Sequence, residues 1–563
     1  MLMTSSVRVF SLFVLASIAI SGAAYAQRKS SEVLLVYNAD SPISTTVAKD
    51  YEAKRHITNV VTIHCADSAL KTDDETISID DYTAKIAAPV SAYLAQHKNI
   101  NFIVLTKGVP IRIRDAGTGE REGGQGPQMP SLDSYLAAID YPTLPNAVKA
   151  SLVGSGTVGT GWVNHYYHAS EPFTHAKFGG YLVTRLDGYT QADAMGLVDQ
   201  ALTAERTHIQ GDILFDIEPD FGLGDKTKFP LVVPSTNVTT EEPWGDWFGD
   251  MLRMNDILEA TGIPHTTEMT QKFVGDKTDL LGYFSYGSND SHYDPQAYQS
   301  LRFLPGSMAD TAVSTGGRTF LPTTGGQSLI ADLIAHGVTC CQGYVGEPIL
   351  DGTSSPTLDL SHYLSGYTMA ESFYSGTKYI GWEGVCVGDP LCAPYIGQKL
   401  VIPTQASEFT DSHGGLKTEN CSESGQDIGS ISNGDYTVYR GVNFTGMTQF
   451  KARVASAGSG GKIELRLDTP TGKLIGTCPA PPTGNWQAWT TQTCELTEHV
   501  KGAHTLCLVY VGGDGNLFNL EWFAFKPTPA LRAVLANPPP AFGRPLPPTG
   551  RVISERVIAG AFR

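Results

Sequence analysis

Positive charge is scarce in this chain. Lys and Arg number 40 against 57 Asp and Glu, for a formal net charge of −17, and only 17% of residues are charged. Proteins that grip nucleic acid neutralise its phosphates, so this balance speaks against that class of partner. Long apolar runs are missing beyond the N-terminus: after residue 20 none approaches the ~18 residues that cross a bilayer. There is no Cys-x-x-Cys pair and no His-Glu-x-x-His, which removes the common zinc signatures. There is no Gly-x-Ser-x-Gly elbow, which argues against a standard α/β-hydrolase. A Gly-x-Gly-x-x-Gly match does occur at 154–159. It runs on into Thr160-Gly161-Trp162, which opens no helix, so dinucleotide binding is not expected.

What is present suits an exported, multidomain protein. At roughly 150 residues per domain, 563 residues suggest three or four units. A hydrophobic fraction of 41% is enough for sizeable cores, and 59 Gly with 33 Pro favour short strands and turns over helical bundles. Residues 1–26 read as a secretory signal peptide: Arg8 gives the basic start, Val9–Ile20 the apolar stretch, and Ala24-Tyr25-Ala26 the cleavage signal. Export permits disulfides, although nine Cys cannot all pair within one chain. Cys421, Cys478, Cys494 and Cys507 can make two bridges and Cys386–Cys392 a local one, leaving Cys65, Cys340 and Cys341.

Three textures follow. Over 27–400, short apolar strands (Val33–Tyr37, Asn101–Thr106, Tyr181–Leu186, Ile213–Asp216, Leu280–Ser285, Gly337–Cys341) alternate with helix-like stretches such as Gln191–Arg206. That alternation predicts α/β architecture with a parallel sheet, as one unit or as two subdomains meeting near 220–240. Over 403–526, alternating runs separated by Gly, Asn and Pro turns predict an all-β sandwich. The tail, 527–563, is Pro-rich; counted from Lys526, it carries six Lys/Arg against one Glu.

Within the sandwich, Gln405–Phe409, Ile431–Tyr436, Gly484–Thr490, Gly502–Leu506 and Phe518–Phe523 occur in an order that resembles carbohydrate-binding module family 6. The resemblance implies a calcium-stabilised jelly roll attached to a secreted polysaccharide-degrading enzyme. It places one platform aromatic at Trp489 or Trp486 and the polar partner at Asn519. Stacking rings with an amide partner suit the apolar faces and hydroxyls of sugars. The second family aromatic falls at Ser430, so Tyr436 or Tyr439 is the substitute. Calcium ligands map to Gln405, Ser407 and Glu521. The expected partner is therefore a glycan, with structural calcium the only expected cofactor.

The large domain resembles the caspase/gingipain-type cysteine peptidases at two strand ends, Gly282–Asp290 and Gly337–Pro348. Cys340 to Gly343 matches the nucleophile turn, but Tyr286 stands where the base should be, which leaves His292 six residues on. The same domain also resembles an uncharacterised family of secreted bacterial proteins, through segments such as Val104–Pro110, Ser131–Ser134, Val183–Gly188 and Val387–Leu391. Asp133, Arg185, Asp187, Asn289, Asp290 and Glu347 fall at expected strand ends or turns. A carboxylate pair there, Asp290 with Glu347 first, can act as acid and base in glycoside hydrolysis. The expected function is thus a secreted, glycan-binding hydrolase. The alternatives are a peptidase using Cys340 and His292, or an adhesive protein without chemistry.

Overall fold

Phe102-Ile-Val-Leu-Thr106 is buried at every position, as a strand covered on both faces must be. It belongs to a ten-stranded sheet that organises the large domain. The structure, a computed structural model, describes residues 28–527 apart from 117–118, 121–127, 155–156, 208, 225, 227–243 and 396–399. The expected signal peptide and the tail from 528 lie outside the described residues.

The sheet strands are β1 (Val33–Asn38), β2 (Asn59–Ile63), β3 (Phe102–Thr106), β4 (Leu182–Leu186), β5 (Asp212–Asp216), β6 (His265–Glu268), β7 (Leu280–Ser285), β8 (Phe303–Thr311), β9 (Cys340–Tyr344) and β10 (Gly384–Val387). Their spatial order is β6-β5-β7-β8-β9-β10-β4-β3-β1-β2. All neighbours are parallel except β9 and β10, which run antiparallel. The sheet is therefore two parallel blocks of opposite direction. One has the order β2-β1-β3-β4-β10 and the other β6-β5-β7-β8-β9, each a second-first-third-fourth-fifth winding of the flavodoxin type.

The expected subdomain junction near 220–240 falls largely outside the described residues. The blocks change over between β4 and β5, through helix α1 (Gln191–Arg206), and they share one sheet. Thr190 caps α1 and forms a capping box with Asp193, while Ala194, Leu197, Val198, Ala201 and Ala204 bury one face. Helix α2 (Trp244–Thr261) follows β5 in chain order, in the second block. The Gly-rich match at 154–159 falls on the antiparallel strands Lys149–Gly154 and Thr157–Val163, with 155–156 outside the described residues, and a strand rather than a helix follows its first glycine.

The C-terminal region is an antiparallel sandwich. Its strands are β11 (Thr404–Gln405), β12 (Asp411–His413), β13 (Lys417–Asn420), β14 (Gln426–Gly429), β15 (Tyr436–Asn443), β16 (Met447–Ala455), β17 (Gly461–Leu467), β18 (Leu474–Ala480), β19 (Thr490–Glu495), β20 (Ala503–Gly512) and β21 (Asn519–Pro527). One sheet has the order β13-β14-β21-β16-β19, with β11 beside β21; the other is β12-β15-β20-β17-β18. Ile463 and Leu465 of β17 point inward with Phe450, Leu506, Leu508 and Phe523 to form the core.

The sandwich packs on α2 through a small apolar cluster of Ala260, Val401, Trp522 and Ala524. Lys451 Nζ and Lys526 Nζ donate to the last carbonyls of that helix, Glu259 O at 3.0 Å and Thr261 O at 2.9 Å. All nine cysteines are thiols. The local Cys386–Cys392 bridge is not formed: the Cys386 thiol faces Gln342, and Cys392 faces Tyr363. Cys478 and Cys494 do lie side by side.

Candidate functional site

In a parallel sheet of this winding, the first and third strands send their chains to opposite faces, which opens a crevice at their C-terminal ends. In the first block that crevice is closed by a polar knot. Asn38 Nδ2 donates to Cys65 O and Gly108 O, each at 3.0 Å, and the Ser44 and Thr106 hydroxyls lie 2.6 Å apart. Gly108 has φ +98°, and a Cβ there would sit 2.5 Å from Ser41 Oγ.

The second crevice, between β5 and β7, holds titratable groups. Two residues past β5 stands Glu218, which caps the short turn Pro219–Phe221 by accepting from Asp220 N at 2.9 Å. Past β7, the chain makes the turn Gly287–Asn289 and then presents Asp290, Ser291 and His292. Glu218 Oε2 accepts from His292 Nδ1 at 2.8 Å and from Ser291 Oγ at 2.9 Å. Asp290 Oδ1 accepts from His292 N at 2.6 Å, and a carboxyl oxygen of Asp290 lies within 4.8 Å of one of Glu218. Glu218 and Asp290 are 1% and 7% exposed, whereas the His292 ring reaches solvent.

Two carboxyls in contact cannot both ionise freely. Burial opposes the charge on Glu218, but hydrogen bonds from His292, Asp220 N, Asp290 and Ser291 outweigh it and bring its pKa down to about 2. Burial, then the Glu218 carboxylate, push Asp290 up to about 6. The hydrogen bond to Glu218 also raises His292. The pair thus holds one proton over most of the acid range, on Asp290. Glu218, Asp290 and His292 offer one donor atom each within 4.8 Å of one another, a spacing that can also hold a metal ion.

The other expected catalytic residues are elsewhere. Glu347 follows β9, two strands from β7, so about 10 Å of sheet separates its strand from that of Asp290. Its carboxylate accepts from Ser314 Oγ at 2.7 Å and from Ile349 N at 3.0 Å, pinning its own turn. Cys340 opens β9 rather than ending it and is fully buried, with its thiol donating to Ser307 O at 3.3 Å. Burial, above all, holds that thiol well above the ordinary range. Its register partner Met308 pairs with Gly282, three residues before the end of β7. Cys340 therefore lies roughly 10 Å below the strand ends where His292 sits, and no nucleophile–base pair forms.

Asp133, Arg185 and Asp187 form a fully buried network, with Arg185 Nε and Nη2 each 2.7 Å from Asp133 and Nη1 3.0 Å from Asp187. Asn289 braces two loops, through Ala312 O and Gln327. The sequence reading missed Glu218. The signal was there in Asp216-Ile217-Glu218-Pro219, a carboxylate two residues past a buried strand and before a turn-forming Pro.

In the sandwich, the loop joining β18 to β19 carries Trp486 and Trp489, both half-buried. Trp489 Nε1 donates to Ser422 Oγ at 3.1 Å. Gln487 joins them to a polar floor: its Nε2 donates to Asp427 Oδ2 at 2.8 Å, and Asn519 Nδ2 donates to Glu419 Oε1 at 2.9 Å. Asn519 is buried and also reaches Asp427 Oδ1 at 3.4 Å. Burial and then the Glu419 charge push Asp427 up to about 7. Tyr436 lies on β15 of the other sheet, stacked on His413 at 5.1 Å. Tyr439 is a core residue whose hydroxyl donates to Ala406 O at 2.7 Å, so it cannot replace the missing platform aromatic.

The residues expected to bind calcium do not fit that ion as they stand. Glu521 is engaged by the Lys226 ammonium, Gln405 Nε2 points to Asp256 at 3.4 Å, and Ser407 lies on the adjacent turn Ala406–Glu408. Calcium takes six to eight oxygens, and a lysine ammonium on the one carboxylate of the set excludes it.

Residues 405–527 match the family model for carbohydrate binding module (family 6). Over 106 residues the chain is 43% identical to the arabinoxylan arabinofuranohydrolase of Bacillus subtilis (strain 168), covering 18% of this chain and 20% of that protein. It is 34% identical over 125 residues to endo-1,4-beta-xylanase A of Thermoclostridium stercorarium, covering 22% and 18% respectively. The chain therefore spans about a fifth of the length of these curated relatives. Among solved structures it is similar to a family 6 carbohydrate-binding module from Clostridium cellulolyticum in complex with xylose, at 50% identity, 22% of this chain, 95% of that one and a TM-score of 0.22. Residues 405–527, with their tryptophan loop and buried amide–carboxylate floor, form a carbohydrate-binding module of family 6.

Proposed function

We propose that the protein is a secreted hydrolase of a xylan-type polysaccharide, holding its substrate on the module and hydrolysing it at Glu218, Asp290 and His292. The observation that carries the catalytic half is the side-by-side placement of Glu218, Asp290 and His292 at the mouth of the β5–β7 crevice. Environments that drive two neighbouring pKa values apart define an acid and its ionised partner. Here Asp290 is the acid and Glu218 its ionised partner, while Glu218 holds His292 through Nδ1 and keeps its ring protonated, a second donor beside the acid. This pair replaces Asp290 with Glu347. It is also closer than the ~5–5.5 Å of a retaining glycosidase. The substrate class rests on the xylan-directed names of the relatives and on the tryptophan loop. Export rests on the pattern of residues 1–26.

The caspase/gingipain likeness enters this reading only as a sheet that places loops, because Cys340 is out of reach of His292. One observation favours an adhesive protein instead: the Glu218 carboxylate is saturated by its hydrogen bonds, as a purely structural cap would be.

Full-length protein assayed on arabinoxylan, xylan and β-1,3-glucan separates the two readings. Glu218→Gln and Asp290→Asn should each lower reducing-end release by about 100-fold or more while leaving glycan pull-down intact. Trp489→Ala should do the reverse, weakening pull-down. Wild-type protein that binds glycan and releases nothing supports the adhesive reading.

A further inference from the structure

Lys226 is a lysine without water. Its side chain is fully buried, and its ammonium contacts Glu521 Oε1 and lies 2.9 Å from Asp256 Oδ2. Asp256 comes from α2 of the large domain and Glu521 from β21 of the module, so one cation ties the two together. Its backbone is held as well: Lys226 N donates to Ser424 Oγ at 3.3 Å, and Ser424 Oγ reaches Gly224 O at 2.9 Å.

The local backbone explains why Glu521 is available. Arg453 pairs with Trp522 but Val454 pairs with Leu520, so Glu521 is the extra residue of a bulge. The bulge turns its carboxylate away from the module core toward α2. Among the described residues its second oxygen, Oε2, has no hydrogen bond, and Arg453 Nε lies 3.9 Å from it. Gln405 Oε1 is likewise buried without a partner.

We infer that Lys226, supplied by the large domain, is the resident cation of the module's Glu521 position, standing where a divalent metal ion would bind and clamping the module in place. Charge counting supports the exchange. Asp256, Glu423 and Glu521 face Lys226 and Arg453, three carboxylates against two cations. Removing Lys226 leaves three against one, an excess that one divalent ion neutralises. Lysine does this at a fixed geometry and independently of metal supply. A module cut free at 403 loses both Lys226 and Asp256.

The full-length protein tests this directly by thermal unfolding and by calcium binding after dialysis. Wild type should show the same midpoint in EDTA and in millimolar calcium and should retain no calcium. Lys226→Met should unfold about 5 °C lower or more in EDTA. Calcium, and not the same ionic strength of sodium chloride, should restore part of that loss. Three results would overturn the inference: wild type that melts lower in EDTA, wild type that holds stoichiometric calcium, or a destabilised Lys226→Met that calcium does not rescue. An unchanged midpoint in Lys226→Met would do the same. Should Lys226→Met not fold, the two wild-type measurements still decide.

Discussion

At the scale of single residues, both sites put a carboxyl where water is thin, and the consequences differ. Asp290, pushed up to about 6 by burial and then by Glu218, is the acid of the proposed mechanism. Asp427 has its pKa raised to about 7 by burial and then by Glu419, under the tryptophan loop. A carboxyl whose folded pKa is raised stabilises the fold fully at pH below its unfolded value and loses that contribution as pH climbs through the folded one. The window here runs from about 4 to about 7. Asp427→Asn keeps a side chain that can still meet Gln487 and Asn519, and it removes the titration. Its unfolding midpoint relative to wild type should therefore rise between pH 5 and pH 8. A difference that stays flat with pH would mean that Asp427 is not the buried acid described.

Asp290 and His292 were legible in the sequence because they sit in a polar turn directly after a continuous apolar strand. Glu218 was not, since its partnership with His292 spans 74 residues of chain. Pairings at that separation depend on which strands become neighbours, and β5 and β7 are adjacent only because β6 goes to the outside.

At the scale of elements, one strand boundary decides the fate of the peptidase reading. The sequence suggests a strand at Gly337–Cys341, which puts Cys340 near its end. The strand is Cys340–Tyr344, because Gly337 takes a left-handed turn at φ +95° and the pairing begins at Cys340. A shift of three residues carries the thiol from the functional edge of the sheet to its interior. The α/β alternation and the change to an all-β module at 403 were readable from periodicity. The reversal between β9 and β10 was not, because a four-residue strand carries no signal of direction.

The strand ends that looked polar for chemistry include one with a structural explanation. Arg185 on β4 is fully buried, and its charge is met by Asp133 and Asp187. Asp133→Asn breaks the bidentate half of that network and leaves a buried guanidinium short of one charge. It should cost about 3–5 kcal/mol in denaturant unfolding. Glycan pull-down by the module should not change. A cost within experimental error would show that the network is not what holds β4 to the helix Leu132–Ala137.

At the scale of the molecule, the module is built into the large domain rather than strung from it. The apolar contact of α2 with Trp522, the lysines on the end of that helix, and Lys226 between Asp256 and Glu521 all bind the two parts. The loop that leaves the crevice at Glu218 is the same loop that reaches Ser424, two residues from the Ser422 hydroxyl on Trp489. A short stretch of chain therefore joins the acid pair to the tryptophan loop of the module. That continuity supports the proposal that binding and hydrolysis act on one substrate.

The acid pair is the centre of this account, and its pH dependence tests it most directly. In the proposed mechanism the active form carries its one proton on Asp290 and its charge on Glu218, a state bounded by pKa values of about 2 and about 6. Reducing-end release from arabinoxylan by the full-length protein should hold through the acid range and fall as pH rises through about 6, with Cys340→Ala following the same curve. Activity that rises above pH 6, or that disappears with Cys340→Ala while persisting in Asp290→Asn, would contradict it.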